Sequence, residues 1–166
     1  MKRQLNIKSL VPRAASKENP YKQGYYKLVN PEKYLGDPTK IIFRSSWEKR
    51  FATYCDHEER IIAWSSEPLK IPYLDPVSGE TKSYNPDFYV RLKTVEGFQE
   101  FLVEVKPSRQ LQVPNKPSGR ITEKKMVSYN NAMKTYIVNL AKFKAARDYS
   151  HGRGWEFIVV TESFIF

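Results

Sequence analysis

Three ionisable residues on two neighbouring stretches stand out: Asp87 in Tyr84-Asn85-Pro86-Asp87-Phe88-Tyr89-Val90, and Glu104 and Lys106 in Phe101-Leu102-Val103-Glu104-Val105-Lys106. Both runs are short, rich in aromatic and β-branched residues and bounded by Gly79, Gly97 and Pro107, so each reads as a strand of one hairpin. The period of two puts Glu104 and Lys106 on one face and Phe101, Val103 and Val105 on the other, where they can pack against a helix. A hairpin brings Asp87 beside Glu104. Two carboxylates that close repel unless a divalent cation lies between them, and magnesium favours one or two carboxylates with water and phosphate. Lys106 adds a positive charge able to orient or deprotonate water, or to stabilise charge on a phosphate oxygen. The chemistry this suggests is metal-assisted phosphodiester hydrolysis.

The elements that must position these groups follow in chain order. Residues 1–20 carry Lys2, Arg3, Lys8, Arg13 and Lys17 without periodicity and are interrupted by Pro12 and Pro20, so they read as a basic arm, either a strap or docking tail or a plain terminus. Tyr21, Tyr25, Tyr26 and Tyr34 lie in a turn-rich stretch and are expected to anchor it to the core rather than stack on bases. Ser45 to about His57 predicts a helix with an apolar stripe of Trp47, Phe51, Tyr54 and Cys55. Ser45-x-x-Glu48 there is the pattern of a capping box, with Glu48 reaching back to the Ser45 amide. His57 at the helix end suits the dipole as a surface residue.

Ile61 to Trp64 reads as a first strand, and Glu67 to Tyr73 is expected to continue extended. Asp75 to Gly79 is a turn. The proline-bearing stretch from Pro107 to Gly119, with Arg109 and Lys116, is a connector or a basic loop over substrate. Thr122 to Tyr149 holds no glycine or proline. Its residues Met126, Tyr129, Met133, Tyr136, Ile137, Leu140 and Phe143 predict a core-facing stripe on one long helix or on two broken near Asn130-Asn131. Asn139 and Lys142 share a neighbouring face, where solvent exposure is the simpler expectation for Lys142. Trp155 to Thr161 predicts a closing strand beside the Glu104 strand, and Phe164-Ile165-Phe166 an apolar tail that must bury or bind something.

Composition sets the frame. The chain has 166 residues and a net charge of +10. Residues 1–50 hold 12 Lys and Arg against 4 Asp and Glu, residues 51–106 hold 6 against 10, and residues 107–166 hold 10 against 4. The candidate site thus sits in the only acidic third, between basic flanks of the kind that contact nucleic-acid phosphates. The lone Cys55 excludes an intrachain disulfide and a cysteine-rich zinc site. No stretch has the length of a signal peptide's apolar core or of a bilayer span, so an aqueous setting without membrane is expected.

Pro86-Asp87, sixteen intervening residues and Glu104-Val105-Lys106 resemble the PD-(D/E)xK nuclease superfamily. Within it, Asn30 to Pro38, Arg44-Ser45-Ser46-Trp47-Glu48 and the run to Asp87 resemble the head-completion nucleases of tailed bacteriophages, over about Tyr21 to the end. The resemblance implies an α/β fold: a restriction-endonuclease-like core with a mixed central sheet flanked by helices, residues 21–166, behind an extended N-terminal arm, residues 1–20. It implies Asp87, Glu104, the Val105 carbonyl and Glu48 as ligands of magnesium, with manganese as substitute, and Lys106 as the residue that positions or activates water. Glu48 would be the carboxylate borne by the first helix.

Double-stranded DNA is the implied substrate, with Arg44, Arg109, Lys116, Asn139 and Lys142 as candidate contacts. A role in finishing the phage head, portal or neck partners, a homodimer, and a place in the infected host's cytoplasm or the virion head are further implications. Three other readings remain: a structural head or neck protein that only binds DNA, a transposon-end or restriction-type endonuclease, and an RNA-binding protein.

Overall fold

The computed structural model describes residues 23–165. The basic arm at residues 1–20, Tyr21 and the terminal Phe166 lie outside the described residues. The first described elements are a short ribbon of β1 (Gly24–Tyr25) and β2 (Ile42–Phe43), with a 3-10 turn at Pro31–Lys33 between them. Helix α1 (Ser46–His57) starts where expected, because Ser45 is extended and its hydroxyl accepts the Glu48 amide at 3.1 Å.

The central sheet has four strands in the order β3 (Ile61–Ser66), β6 (Phe88–Thr94), β7 (Gly97–Val105) and β8 (Glu156–Val160). The first two pairings are antiparallel and the last is parallel, so the sheet is mixed. Strands β4 (Ile71–Leu74) and β5 (Thr81–Tyr84) form a separate antiparallel ribbon. Helix α2 (Glu123–His151) makes the long crossover that lets β8 return parallel to β7, and α3 (Glu162–Ile165) ends the described chain.

The sheet is a layer between helices. Trp64, Phe88, Val90, Val103 and Val105 pack with Phe51, Ala52 and Cys55 of α1 and with Tyr26, Ile41 and Phe43 of the N-terminal segment. Tyr89 and Leu102 pack on the opposite face with Ala146 of α2 and with Ile71, Tyr73 and Tyr84 of the ribbon. The alternation of Leu102 and Glu104 against Val103 and Val105 is therefore real and is set by two different helical layers. Tyr26 and Tyr34 anchor the N-terminal segment as expected: Tyr26 is buried and donates to Asp56 at 3.0 Å, and Tyr34 packs edge-on against Trp64 at 4.9 Å. Tyr25 is exposed.

Three expectations need correction. Tyr84 to Val90 is not one strand: Tyr84 ends β5, Asn85 to Asp87 are irregular, and Phe88 begins β6. Pro86 has no amide hydrogen for a ladder, and the break lets the chain move from ribbon to central sheet. Glu67 to Tyr73 is not continuously extended either, since Glu67 has φ of 43° and turns the chain out of β3 before β4 begins. Finally, α2 is one helix of 29 residues, yet its apolar stripe is not all core. Met126, Ile137 and Leu140 are exposed, and the buried positions are Asn139, Phe143, Ala146 and Ser150. At 1.5 Å per residue the helix is about 43 Å long, far longer than the adjoining strands, so only its C-terminal half lies on the sheet.

Candidate active site

The antiparallel ladder between β6 and β7 ends at Phe88 opposite Val103. One step further along the same register, Asp87 faces Glu104. Asp87 replaces the missing ladder bond with its side chain, as Oδ2 accepts the Val105 amide at 2.7 Å. Its carbonyl accepts the Glu67 amide at 2.8 Å, so the turn at Glu67 and the break at Pro86 brace one another.

Glu104 is buried, 4% exposed. Its Oε2 accepts the Tyr84 hydroxyl at 2.5 Å, and its Oε1 forms an ion pair with Lys106, whose amide in turn donates to the Val160 carbonyl at 2.9 Å. Glu48 is half-buried at the start of α1. Its Oε2 accepts the Arg44 amide at 2.7 Å and its Oε1 the Ser45 hydroxyl at 3.0 Å, so the carboxylate caps the helix through Arg44 rather than through the Ser45 amide. A cleft of about 320 Å³ collects Arg44, Ser45, Trp47, Glu48, Val105, Lys106 and Gln110 along its walls. The cap and the cleft use the same side chain.

The electrostatics tie the four groups together. Burial raises the Asp87 carboxyl well above the usual range, and the charges of Glu104 and then Glu48 raise it further against the Val105 amide and Lys106. Glu48 is raised by burial, in part offset by the bonds from Arg44 and Ser45. Lys106 loses solvation, but the pull of Glu104, then of Asp87 and Glu48, outweighs that loss and holds it protonated. Glu104 pairs with Lys106 directly, and Asp87 and Glu48 act on that ammonium by charge alone.

The other candidates scatter. Lys142 is half-buried, not solvated as its spacing suggested: its Nζ lies 5.7 Å from the Tyr73 ring centre and 5.8 Å from that of Tyr84. Burial and the neighbouring Lys106 depress it, while Glu104, Asp75 and Asp87 pull the other way, so it belongs to the rear of the same cluster. Arg44 lines the cleft with its guanidinium paired to Glu67, Nε to Oε1 at 2.6 Å. Arg109 is exposed on a 3-10 turn at Ser108–Leu111. Lys116 lies along a different groove, against Ser128 and Tyr129 of the outlying half of α2. Asn139 is buried and lines a separate cavity beside α2.

Two comparisons with known proteins bear on this arrangement. The family model described as TnsA-like endonuclease N terminal matches residues 58–162, which include Asp87, Glu104 and Lys106. The chain belongs to this TnsA-like endonuclease family. It is also 41% identical over 139 residues to the head completion nuclease of Enterobacteria phage T4, an alignment covering 84% of this chain and 90% of that protein. As a TnsA-like endonuclease it is a nuclease, on the mixed α/β fold that the resemblance implied. The family match begins after α1, so Glu48 falls outside it.

Tyr84 and Glu67 are the residues of this endonuclease that the pattern of Asp, Glu and Lys did not single out. Tyr84 carried a signal, since it opens the stretch that bears Asp87; nothing in the composition around Glu67 announces its positive φ. The donor set suits a hard cation: its groups are carboxylate oxygens, burial raises both Asp87 and Glu48, and the charges of Glu104 and Glu48 raise Asp87 further. Among the described residues no three His, Cys, Asp or Glu side chains converge as a ready-made ligand cage. The reason is visible: Glu104 is turned to Tyr84 and Lys106, and Glu48 to Arg44 and Ser45. A cation here would complete its shell with backbone carbonyl, water and phosphate oxygen, as magnesium commonly does.

Proposed function

We propose that this nuclease is a magnesium-dependent deoxyribonuclease that hydrolyses double-stranded DNA during completion of a phage head. The observation that carries the reading is the register that sets Asp87, fixed to the Val105 amide, opposite Glu104, whose ion-pair partner Lys106 lines the same cleft as Glu48. Asp87, Glu104 and the Val105 carbonyl would hold the cation, with Glu48 as an additional ligand, direct or through water; manganese would substitute. When bound, the cation supplies Lewis acidity and neutralises charge on the phosphate oxygens.

Lys106 acts as a charged donor. Paired with Glu104 at the cleft wall, it positions or activates the attacking water and stabilises the charge that develops on phosphorus-bound oxygen. As a bond from water oxygen to phosphorus forms, the bond to the leaving sugar oxygen breaks; the proton shed by the water passes to solvent, and the leaving oxygen takes one up from solvent. Arg44 and Lys142 contribute positive charge around the strand; Arg109 and Lys116 would reach phosphates further along it. The phage relative's name, a head completion nuclease, supports action in the infected cell; portal or neck proteins would be the partners there.

Cleavage of linear and circular duplex DNA with and without magnesium tests the reading, with Lys106→Ala as control. Metal-dependent cleavage lost in the variant is the expected result; equal cleavage by variant and wild type would overturn the assignment.

A further inference from the structure

Beside the cleft, on the far side of Gln110, lies a second cavity of about 340 Å³ between α2 and β8. Its walls are Leu111, Leu140, Phe143 and Val159, with Tyr136, Asn139 and Arg147 as the groups able to donate hydrogen bonds. Asn139 is 6% exposed, and its Nδ2 has no hydrogen-bond partner among the described residues. Buried amides left unpaired are few in folded proteins and each calls for a cause. Packing does not provide one here, because a leucine would fill an apolar wall without an orphaned donor.

We propose that this cavity receives one unstacked nucleobase of the DNA strand lying in the cleft. The proposal rests on the nuclease reading and adds a place where the strand is gripped next to the cut. A base presents two flat apolar faces and an edge of carbonyl and ring-nitrogen acceptors. Tyr136 offers aromatic and Leu140 aliphatic surface to the faces, and Asn139, by turning about its broad χ2 well, brings its unpaired amide to the edge. Arg147 supplies a second donor at the rim. Gln110 borders both cavities, so the sugar and phosphate between base and scissile bond run across it.

The test is binding by the full chain in chelator, where no cut occurs, to duplex oligonucleotides in which each nucleotide in turn is replaced by an abasic one. Affinity is read by fluorescence anisotropy for wild type, Asn139→Ala and Leu140→Trp. Leu140 is 48% exposed, so tryptophan there fills the cavity from its open side without entering the core. At one position the effect of deleting the base should differ by roughly tenfold between wild type and either variant. At all others it should be the same within about twofold. Binding without any such position overturns the cavity while leaving magnesium-dependent cleavage, and so the nuclease reading, intact. Failure of the wild type both to bind and to cut DNA overturns both readings.

Discussion

The hydroxyl of Tyr84 donates to Oε2 of Glu104 at 2.5 Å, from the last residue of a two-stranded ribbon to the middle layer of the molecule. With Lys106 on Oε1, both oxygens of Glu104 are held. Tyr84→Phe leaves a buried carboxylate oxygen unpaired, a loss of about 1–3 kcal/mol. The variant should melt at lower temperature and, still folded, cleave DNA about tenfold more slowly because Glu104 is no longer fixed. Thermal unfolding and single-turnover cleavage check the two parts separately.

Glu48 both caps α1 and walls the cleft, and two substitutions separate those tasks. Ser45→Ala removes the N-cap and one of the bonds that hold Glu48, and should cost about 1 kcal/mol of stability with a smaller loss of cleavage than Glu48→Gln. Glu48→Gln keeps an oxygen to accept the Arg44 amide, so stability should stay within about 0.5 kcal/mol, whereas cleavage should fall at least about tenfold. Equal cleavage by Glu48→Gln and wild type would reduce Glu48 to a cap.

Divalent cation should raise the melting temperature of the wild type through binding to the folded form alone. At a hundredfold excess over the dissociation constant the gain is about 2.7 kcal/mol. Asp87→Asn should lose most of that gain and, having shed a buried charge crowded by Glu104 and Glu48, should be at least as stable as wild type without metal. A titration of melting temperature against magnesium decides it.

Asp75 anchors the turn that precedes β5, and its pH behaviour is open to measurement. The Lys82 ammonium, with the Val77 and Ser78 amides, lowers its carboxyl to about 2. A carboxylate depressed in the folded state contributes stability above its unfolded value, near 3.9, and loses it as pH falls towards the folded one. The difference in melting temperature between wild type and Asp75→Asn should therefore be constant at neutral pH and shrink between about pH 4 and pH 2.

Much of this was legible in the residues because local rules and tertiary packing agree there. Ser45-x-x-Glu48 marked the start of α1, and the alternation around Glu104 marked a strand between two layers; Trp155 to Thr161 read as the strand that β8 became. The failures have physical causes. A period-3.6 stripe reports which side of a helix is apolar, not whether anything reaches it, so it did not reveal that α2 outruns the sheet. Pro86 announced a break only once the second sheet existed to receive the chain. Lys142 looked solvated because spacing cannot show that Tyr73 and Tyr84, from a ribbon some sixty residues earlier, would cover it.

The parallel pairing of β7 with β8 has a consequence for the order of events at the ribosome. Strand β7 holds Glu104 about fifty residues before its neighbour is synthesised, and the Lys106 amide finds its acceptor only on Val160. On a nascent chain the candidate site therefore stays incomplete until β8 has emerged and docked beside β7.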